Sequence, residues 1–259
     1  MKHPALIRVL SIAVTVLLAV STGFFLFYEK ESVPTMAHPA RFSRSTVVID
    51  AGHGGEDGGA VSQTGTVESQ VNLAVAQRLD LILGLFGADV VMLRTEDISL
   101  HDPEAQTLRE KKRSDLQNRA AQIEAVPNAT VISIHQNTYS GSTQYHGAQV
   151  FYADEASSLG LAQHTQELLR LALDPENRRQ AARLPNTVYL MTHITCRAIL
   201  VECGFLSNPE EDALLQTGSY QTKIAAALAC AYLSDSENDS EGEGTLESQD
   251  SLLLYGMRE

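Results

Sequence analysis

Two histidines and two glutamates have the types and spacing that suit hydrolytic metal chemistry. His53, His135 and Glu202 each stand at or just beyond the end of an apolar run that predicts a buried strand, and Glu68 stands at the mouth of a predicted helix. Two imidazoles and one carboxylate are the protein ligands of zinc sites that keep a fourth position open for water. A second carboxylate is then needed to take up and return a proton. Spacing alone leaves open which glutamate has which role.

The loop that carries His53 is rich in glycine and acid. Residues 50–60 read DAGHGGEDGGA, and the glycines let the backbone turn tightly and approach a ligand closely. A phosphate-binding loop is the alternative. Neither G-x-G-x-x-G nor G-x-x-x-x-G-K-[ST] is present, however, and Glu56 and Asp57 would repel a phosphate. The loop therefore favours a cation.

The elements that must position these side chains alternate along the chain. Apolar runs predict strands at 46–49, 88–93, 130–135, 148–152, 187–191 and 198–202, and helical periodicity predicts helices at 69–87, 108–125, 157–173 and 220–233. This order predicts an α/β fold, a single three-layer sandwich whose mostly parallel sheet of about six strands is flanked by helices. Ligands of such sheets bind at the carboxyl ends of the strands. We therefore expect the two histidines and Glu202 at one edge of the sheet, with Glu68 one loop away.

Composition indicates a globular protein and argues against one class of partner. With 259 residues, 44% of them hydrophobic, the chain is long enough for one well-buried domain with peripheral segments. Its formal net charge is -13, and no basic stripe is visible. The sequence therefore predicts no nucleic-acid partner.

The first 28 residues predict export, as a membrane anchor or a signal peptide. Residues 9–27 carry no charge and follow Lys2 and Arg8, and as a helix they would span about 28 Å, close to the roughly 30 Å hydrocarbon core of a bilayer. The basic amino end should stay in the cytosol, which puts the remaining chain on the outer face of the cytoplasmic membrane. A cleaved signal peptide is the alternative, because the run is short and residues 19–21 are small; the protein would then be secreted.

Three segments follow this export segment. Residues 29–44 mix charge, proline and small residues, as a tether does. Residues 45–234 are the predicted folded domain. Residues 235–259 form an acidic tail, which we predict to be disordered because its hydrophobicity is low and its acids are dense.

Several motifs occur together in the order that one family shows. They are HGGEDGGA at 53–60, Glu68 with Asn72 and Leu73, Arg94 with Asp97, Leu116 with Arg119, SIHQN at 133–137, GAQVFY at 147–152 and VECGFLSNP at 201–209. The chain thereby resembles the zinc-dependent N-acetylmuramoyl-L-alanine amidases (amidase type 3) of the bacterial cell wall, from about residue 47 to residue 233. The resemblance implies that residues 45–234 are a zinc amidase catalytic domain.

The resemblance also implies roles for the four residues. One Zn²⁺ per chain would be bound by His53, Glu68 and His135, and Glu202 would activate the attacking water. Peptidoglycan would be the substrate, cleaved at the amide between the lactyl group of muramic acid and the L-alanine of the stem peptide.

Within the family, the segments GAQVFY and VECGFLSNP are most similar to those of the spore cortex, germination-specific amidases of endospore formers. Those enzymes strip stem peptides so that muramic δ-lactam forms, which implies a place in the forespore intermembrane space. Some relatives carry an inserted helix that plugs the zinc site, but residues 153–187 predict one ordinary helix and a short loop. We therefore expect no such plug, and if activity is restrained we expect a protein partner to restrain it.

Two other functions stay open on the sequence alone. A zinc peptidase acting on stem peptides would share the metal chemistry, although the H-E-x-x-H motif of the common helix-borne peptidases is absent. A non-catalytic peptidoglycan-binding module is the other alternative, although a binder does not need a buried acid beside two metal-binding histidines. Analysis of the products released from peptidoglycan separates the three functions.

Overall fold

Six strands form one sheet in the part of the chain that the computed structural model describes, residues 45–185 and 187–235. They are β1 (Thr46–Ala51), β2 (Val90–Met92), β3 (Ala129–Asn137), β4 (Gln149–Tyr152), β5 (Ala182–Arg183) and β6 (Arg197–Phe205). Their order across the sheet is β2-β1-β3-β6-β4-β5, and each neighbouring pair is parallel except β4 with β6. The predicted mostly parallel, six-stranded sheet is confirmed.

Helices cover both faces of this sheet. They are α1 (Glu68–Leu85), α2 (Leu108–Glu124), α3 (Glu155–Leu173), α4 (Tyr189–Thr192), α5 (Pro209–Leu215) and α6, which covers residues 218–235. One face packs on α1, α3 and α6 through core residues such as Leu79, Leu161 and Leu228. The other face packs on α2 and α4 through Ile123 and Leu190. The central strands are therefore buried on both faces, as their continuous apolar runs predict, and the three-layer α/β sandwich is confirmed.

A capping box fixes the start of α2, the helix that brings several charged groups to the site. The Thr107 hydroxyl accepts a hydrogen bond from the Glu110 backbone N–H at 3.2 Å, and the Glu110 carboxylate accepts one from the Thr107 N–H at 2.9 Å. The box thus satisfies two backbone N–H groups at the amino end of the helix that have no intrahelical partner.

The strand predicted at 187–191 is wrong. This segment forms a turn and the short helix α4, and the outer partner of β4 is the two-residue strand β5. Since β4 already has β6 and β5 on its two sides, the segment does not pair with β4. Leu190 and Met191 are instead buried in the core beside α2, and this packing overrides the β propensity of their β-branched and aromatic neighbours.

Three sequence predictions concern residues outside those described. The predicted anchor or signal peptide (1–28), the tether (29–44) and the acidic tail from residue 236 onward all lie there. Within the described ranges, no helix combines the length and the apolar character that crossing a bilayer requires.

Candidate active site

The carboxyl end of β1 leads into a loop, residues 52–60, that carries His53 in an uncommon backbone conformation. The φ angle of His53 is 61°, in the left-handed region that residues with a Cβ rarely adopt, and Gly54 and Gly55 follow at 138° and 59°. Such backbone persists only where the surroundings hold it in place. The loop is therefore expected to be tied down by specific contacts.

Two buried arginines supply those contacts by donating to backbone carbonyls of the loop. Arg94 donates to the Ala51 oxygen at 2.8 Å and to the Gly52 oxygen at 3.1 Å. Arg119 donates to the Ala51 oxygen at 3.0 Å and to the His53 oxygen at 2.7 Å. The two guanidinium groups thus fix the backbone on both sides of the His53 side chain.

Arg119 is also the counter-ion of two acids beneath the loop. It lies 2.5 Å from Asp50 and 2.6 Å from Asp115, and Asp50 accepts a further hydrogen bond from Ser133 at 2.7 Å. Burial raises the pKa of Asp50, but Arg119 and these hydrogen bonds outweigh it and hold the pKa below its ordinary value. Since Asp50 and Arg119 are each 1% exposed, they form an ionised pair shielded from water.

Glu68 is the first residue of α1, and hydrogen bonds from three elements fix its carboxylate. Its Oε2 accepts from the Ala60 N–H at 2.8 Å, and its Oε1 accepts from the Gln136 N–H at 3.1 Å. Asn72, one turn further along α1, donates to Oε1 at 3.4 Å. The carboxylate therefore has one orientation, set by the loop, by β3 and by its own helix.

His53 and His135 bring their imidazoles to this carboxylate. Nδ1 of His135 lies 3.0 Å and Nε2 of His53 lies 3.4 Å from Glu68 Oε1, and the ring centroids are 5.1 Å apart. Burial raises the pKa of Glu68, but hydrogen bonds from both histidines outweigh it and hold the pKa well below its usual range. One donor atom from each of the three residues lies within 4.8 Å of the others, so together they could hold a metal ion.

The close packing of His135 against the loop requires a glycine. A Cβ on Gly52 would overlap the imidazole of His135 at distances that real Cβ atoms do not show. Gly52 therefore lets the end of β1 approach the ring that β3 presents.

Glu202 lies beside His135, because the two residues are register partners on the adjacent strands β3 and β6. Its Oε2 is buried and accepts no hydrogen bond from the described residues. Burial is the main reason that the pKa of Glu202 rises to about 7; the two histidines oppose the rise and Glu68 adds to it. A carboxyl group with such a pKa can both accept and donate a proton near neutral pH.

The other nitrogen of His53 contacts Asp57. Nδ1 lies 3.1 Å from an Asp57 carboxylate oxygen, and Lys112 lies 3.2 Å from the same oxygen. Burial lowers the pKa of His53, but its bonds to Asp57 and Glu68 outweigh it and raise the pKa to about 9. A metal ion that binds here must therefore displace a proton from the imidazole.

An open cleft of about 340 Å³ lies over these residues and is lined by His53, His135 and Glu202. Leu116 of α2 and Met191 of α4 also line it. The cleft thus combines apolar walls with the ionisable groups. A ligand in the cleft would therefore meet apolar and ionisable side chains together.

The structure brings together all four residues that the sequence analysis singled out. Sequence reasoning used Asp57 only as an acid of the loop and named Arg119 only within a motif. It gave no role to Lys112 or to the wall formed by α4. One signal for Arg119 was present, since Asp50 ends a buried strand and a buried carboxylate needs a partner. The sequence could not select that partner among the many bases of α2.

Comparisons with known proteins agree on one family. A sequence model described as N-acetylmuramoyl-L-alanine amidase (Amidase_3) matches residues 47–232. The chain is 37% identical over 187 residues to the germination-specific N-acetylmuramoyl-L-alanine amidase of Bacillus subtilis (strain 168), covering 72% of this chain and 77% of that protein. It is 30% identical over 188 residues to the N-acetylmuramoyl-L-alanine amidase LytC of the same strain, covering 71% of this chain and 34% of LytC.

A solved structure agrees with these sequence matches. The CwlD amidase from Clostridioides difficile, determined in complex with the GerS lipoprotein, is similar with a TM-score of 0.70 and 36% identity. The similarity covers 73% of this chain and 98% of that chain.

Proposed function

Since this chain belongs to the N-acetylmuramoyl-L-alanine amidase family and is an enzyme of that class, we propose that it is zinc-dependent and acts on spore cortex peptidoglycan. The bond cleaved joins the lactyl carbonyl of muramic acid to the nitrogen of L-alanine in the stem peptide. The observation that carries the zinc proposal is the convergence of His53, Glu68 and His135 within 4.8 Å, next to Glu202.

The donor set fits zinc on chemical grounds. Two imidazole nitrogens and one carboxylate oxygen are a zinc-binding set that leaves a coordination position for water or substrate. Glu202, a buried carboxylate with an oxygen that lacks a hydrogen-bond partner among the described residues, suits a site completed by a ligand. In this proposal His53, Glu68 and His135 hold one Zn²⁺ per chain, and Glu202 is not a ligand.

The protein's own groups then perform the proton transfers. A bound zinc ion would polarise the amide carbonyl and make the attacking water more acidic. Glu202 takes the proton from the water that attacks the lactyl carbonyl, and it returns this proton to the alanine nitrogen as the C–N bond breaks. The products are a lactyl carboxylate and a peptide with a free N-terminal L-alanine. Arg94 and Arg119 keep the His53 backbone fixed throughout.

The setting that we propose is the spore. The similarity to a germination-specific amidase supports a role in cortex maturation, in which stripped muramic acid forms the δ-lactam. The structure of a CwlD amidase bound to a lipoprotein supports a protein partner that activates the enzyme. We further propose export through residues 1–28, with the domain on the outer face of the cytoplasmic membrane or in the forespore intermembrane space, or secreted if that segment is cleaved.

Product analysis with the purified full chain tests the reaction. Wild type loaded with zinc should release peptides with free N-terminal L-alanine from purified peptidoglycan, and chelation should abolish the release until zinc is restored. Glu202→Gln should keep one zinc per chain and lose turnover by about 10²-fold or more. Release of a different N-terminal amino acid would indicate a peptidase. Full activity after chelation would refute zinc dependence, and loss of zinc from Glu202→Gln would make Glu202 a ligand.

A further inference from the structure

Three aromatic rings form a cluster where β3 and β6 end, outside the residues that would bind metal. We call Tyr139, Tyr145 and Phe205 the aromatic platform. Tyr139 and Tyr145 meet edge to face with centroids 4.7 Å apart, and Tyr145 stacks on Phe205 at 6.2 Å. Phe205 is buried, whereas Tyr139 and Tyr145 are 49% and 47% exposed. Two tyrosine rings are thus exposed to solvent and packed together with a buried phenylalanine ring.

Local contacts order the backbone and the rings of the platform. A Cβ on Gly141 would lie 2.7 Å from the Tyr139 ring, so the loop closes over this side chain at a distance that only glycine permits. The Tyr139 N–H donates to the Ser207 hydroxyl at 3.0 Å. The guanidinium of Arg179 lies over the Phe205 ring, 4.7 Å from its centroid. A surface ordered in this way loses little entropy when it binds a partner.

The platform continues directly from the catalytic strands. Tyr139 is four residues beyond His135, so roughly 13 Å of extended chain separates them at most. The register between β3 and β6 shifts after the pair His135 and Glu202, and the next partners are Asn137 and Phe205. This irregularity places Phe205 opposite Asn137, which lies on the same face of β3 as His135. The platform therefore extends the side of the sheet on which the cleft opens.

The chemistry of the platform suits a neutral polymer better than a charged peptide. The loop 138–146 contains hydroxyl, amide and aromatic groups but no Asp, Glu, Lys or Arg. The nearby cation, Arg179, is held by the Gln149 side chain at 3.0 Å and the His146 carbonyl at 3.0 Å. His146 itself lies 3.3 Å from Asp174. A stem peptide, with its free carboxylates, would find no lysine or arginine in this loop, and the neighbouring Arg179 already donates through two of its nitrogens.

Sugar rings have the complementary properties. The C–H groups on one face of a pyranose pack on the negative face of an aromatic ring, and sugar hydroxyls pair with the tyrosine and serine hydroxyls around it. Resting on the function proposed above, we propose that the aromatic platform binds the glycan strand of peptidoglycan, at sugars adjacent to the muramic acid whose amide lies in the cleft. The enzyme thereby selects strands over isolated muramoyl peptides.

Kinetics on two substrates test this proposal with the full chain. Tyr139→Ala is compared with wild type on soluble glycan strands that carry stem peptides and on N-acetylmuramoyl-L-alanyl-D-isoglutamine, which has no neighbouring sugar. The ratio of kcat/KM on strands to kcat/KM on the small substrate should fall about 10-fold in Tyr139→Ala, because one stacked ring contact is lost. The fall should come from a higher KM for strands. Phe86→Ala, an exposed aromatic at the distal end of α1, is the matched control and should leave the ratio unchanged. An equal loss on both substrates would indicate a structural role for Tyr139 and overturn the proposal.

A binding assay keeps the proposal testable without turnover. Glu202→Gln should bind peptide-free glycan strands, and Glu202→Gln with Tyr139→Ala should bind them about 10-fold more weakly. Equal glycan binding by the two proteins would overturn the proposed glycan site even if wild type is an active amidase. A Tyr139→Ala defect confined to the binding of a partner protein would overturn it as well. If wild type cleaves neither substrate but the two variants differ in glycan binding, the proposed reaction fails and the glycan site stands.

Discussion

A Cβ on Gly59 would lie 2.5 Å from Oε2 of Glu68, so the loop reaches this carboxylate only because residue 59 has no side chain. The same Cβ would lie 2.8 Å from the His53 ring, and the backbone there has a φ of 72°. Gly59 is therefore packed between two of the three residues that would hold the metal. This position requires glycine both for its positive φ angle and for the absence of a side chain.

Gly59→Ala should lower zinc affinity by at least about 10-fold, because Glu68 and His53 must move apart to admit the methyl group. Competition with a chromophoric chelator measures this affinity directly. The matched control is Gly65→Ala, since Gly65 also has a positive φ, 93°, but no atom lies within 4 Å of its Cβ position. Both variants lose about 1 to 2 kcal/mol to backbone strain. Equal zinc affinity in the two variants would show that contact with the metal-binding side chains is unimportant.

Asp57 should matter because it fixes which nitrogen of His53 faces the site. Asp57→Asn keeps the shape but removes the charge that favours a proton on Nδ1, and we expect zinc affinity to fall about 10- to 100-fold. Nitrogen-15 NMR of the histidine rings gives the tautomer, and chelator competition gives the affinity. Glu56→Gln is the control, since Glu56 lies on the same loop but pairs with Lys111 on the surface. A normal affinity in Asp57→Asn would contradict the orienting role.

The sequence was sufficient to predict the strands that end at the site, because β1, β3 and β6 are buried on both faces and appear as continuous apolar runs. Parallel strands bring their carboxyl ends to one edge, so His53, His135 and Glu202 could be placed together without knowing any contact. The position of Glu68 followed from the helix that begins there.

Features that depend on long-range packing were not predictable. The contact of Asp50 with Arg119 spans 69 positions, and nothing local to either residue specifies it. The segment that forms α4 has the composition of a strand, but it is helical and buries Leu190 and Met191 in the core. The sequence also could not show that Tyr139 and Tyr145 meet. In each case a partner from another element decides the conformation.

Glu202 should make the metal-free protein less stable as pH rises. Its pKa in the folded chain is about 7, above the ordinary value of 4.5, so the folded state binds the proton more tightly than the unfolded state. The contribution of Glu202 to the free energy of unfolding is therefore most favourable below pH 4.5, and it falls between pH 4.5 and pH 7. Glu202→Gln removes the effect and should stabilise metal-free protein at pH 8, by at most about 3 kcal/mol, with little change at pH 4. Urea unfolding at the two pH values measures this, and an equal change at both would indicate altered packing instead.

The ion pair of Asp50 and Arg119 should stabilise the folded protein at neutral pH and lose this contribution at low pH. Arg119→Met leaves the buried Asp50 carboxylate without its counter-ion and removes the donor to the His53 carbonyl, so we expect a loss of about 3 to 5 kcal/mol in the free energy of unfolding at pH 7. Because the pKa of Asp50 is lowered in the folded chain, its contribution is present above its ordinary value of 3.8 and is lost as pH falls through the lowered value. The difference between wild type and Arg119→Met should therefore shrink on acidification.

Two comparisons identify the charge pair as the cause of that loss. Arg113→Met changes an exposed arginine on the same helix and should alter stability by less than about 0.5 kcal/mol. Asp50→Asn combined with Arg119→Met should lose less than the sum of the two single variants, since the double variant leaves no buried charge unpaired at this contact. Strict additivity would mean that the two side chains act independently. The main role of Arg119 would then be to hold the loop carbonyls, and zinc affinity would fall in Arg119→Met but not in Asp50→Asn.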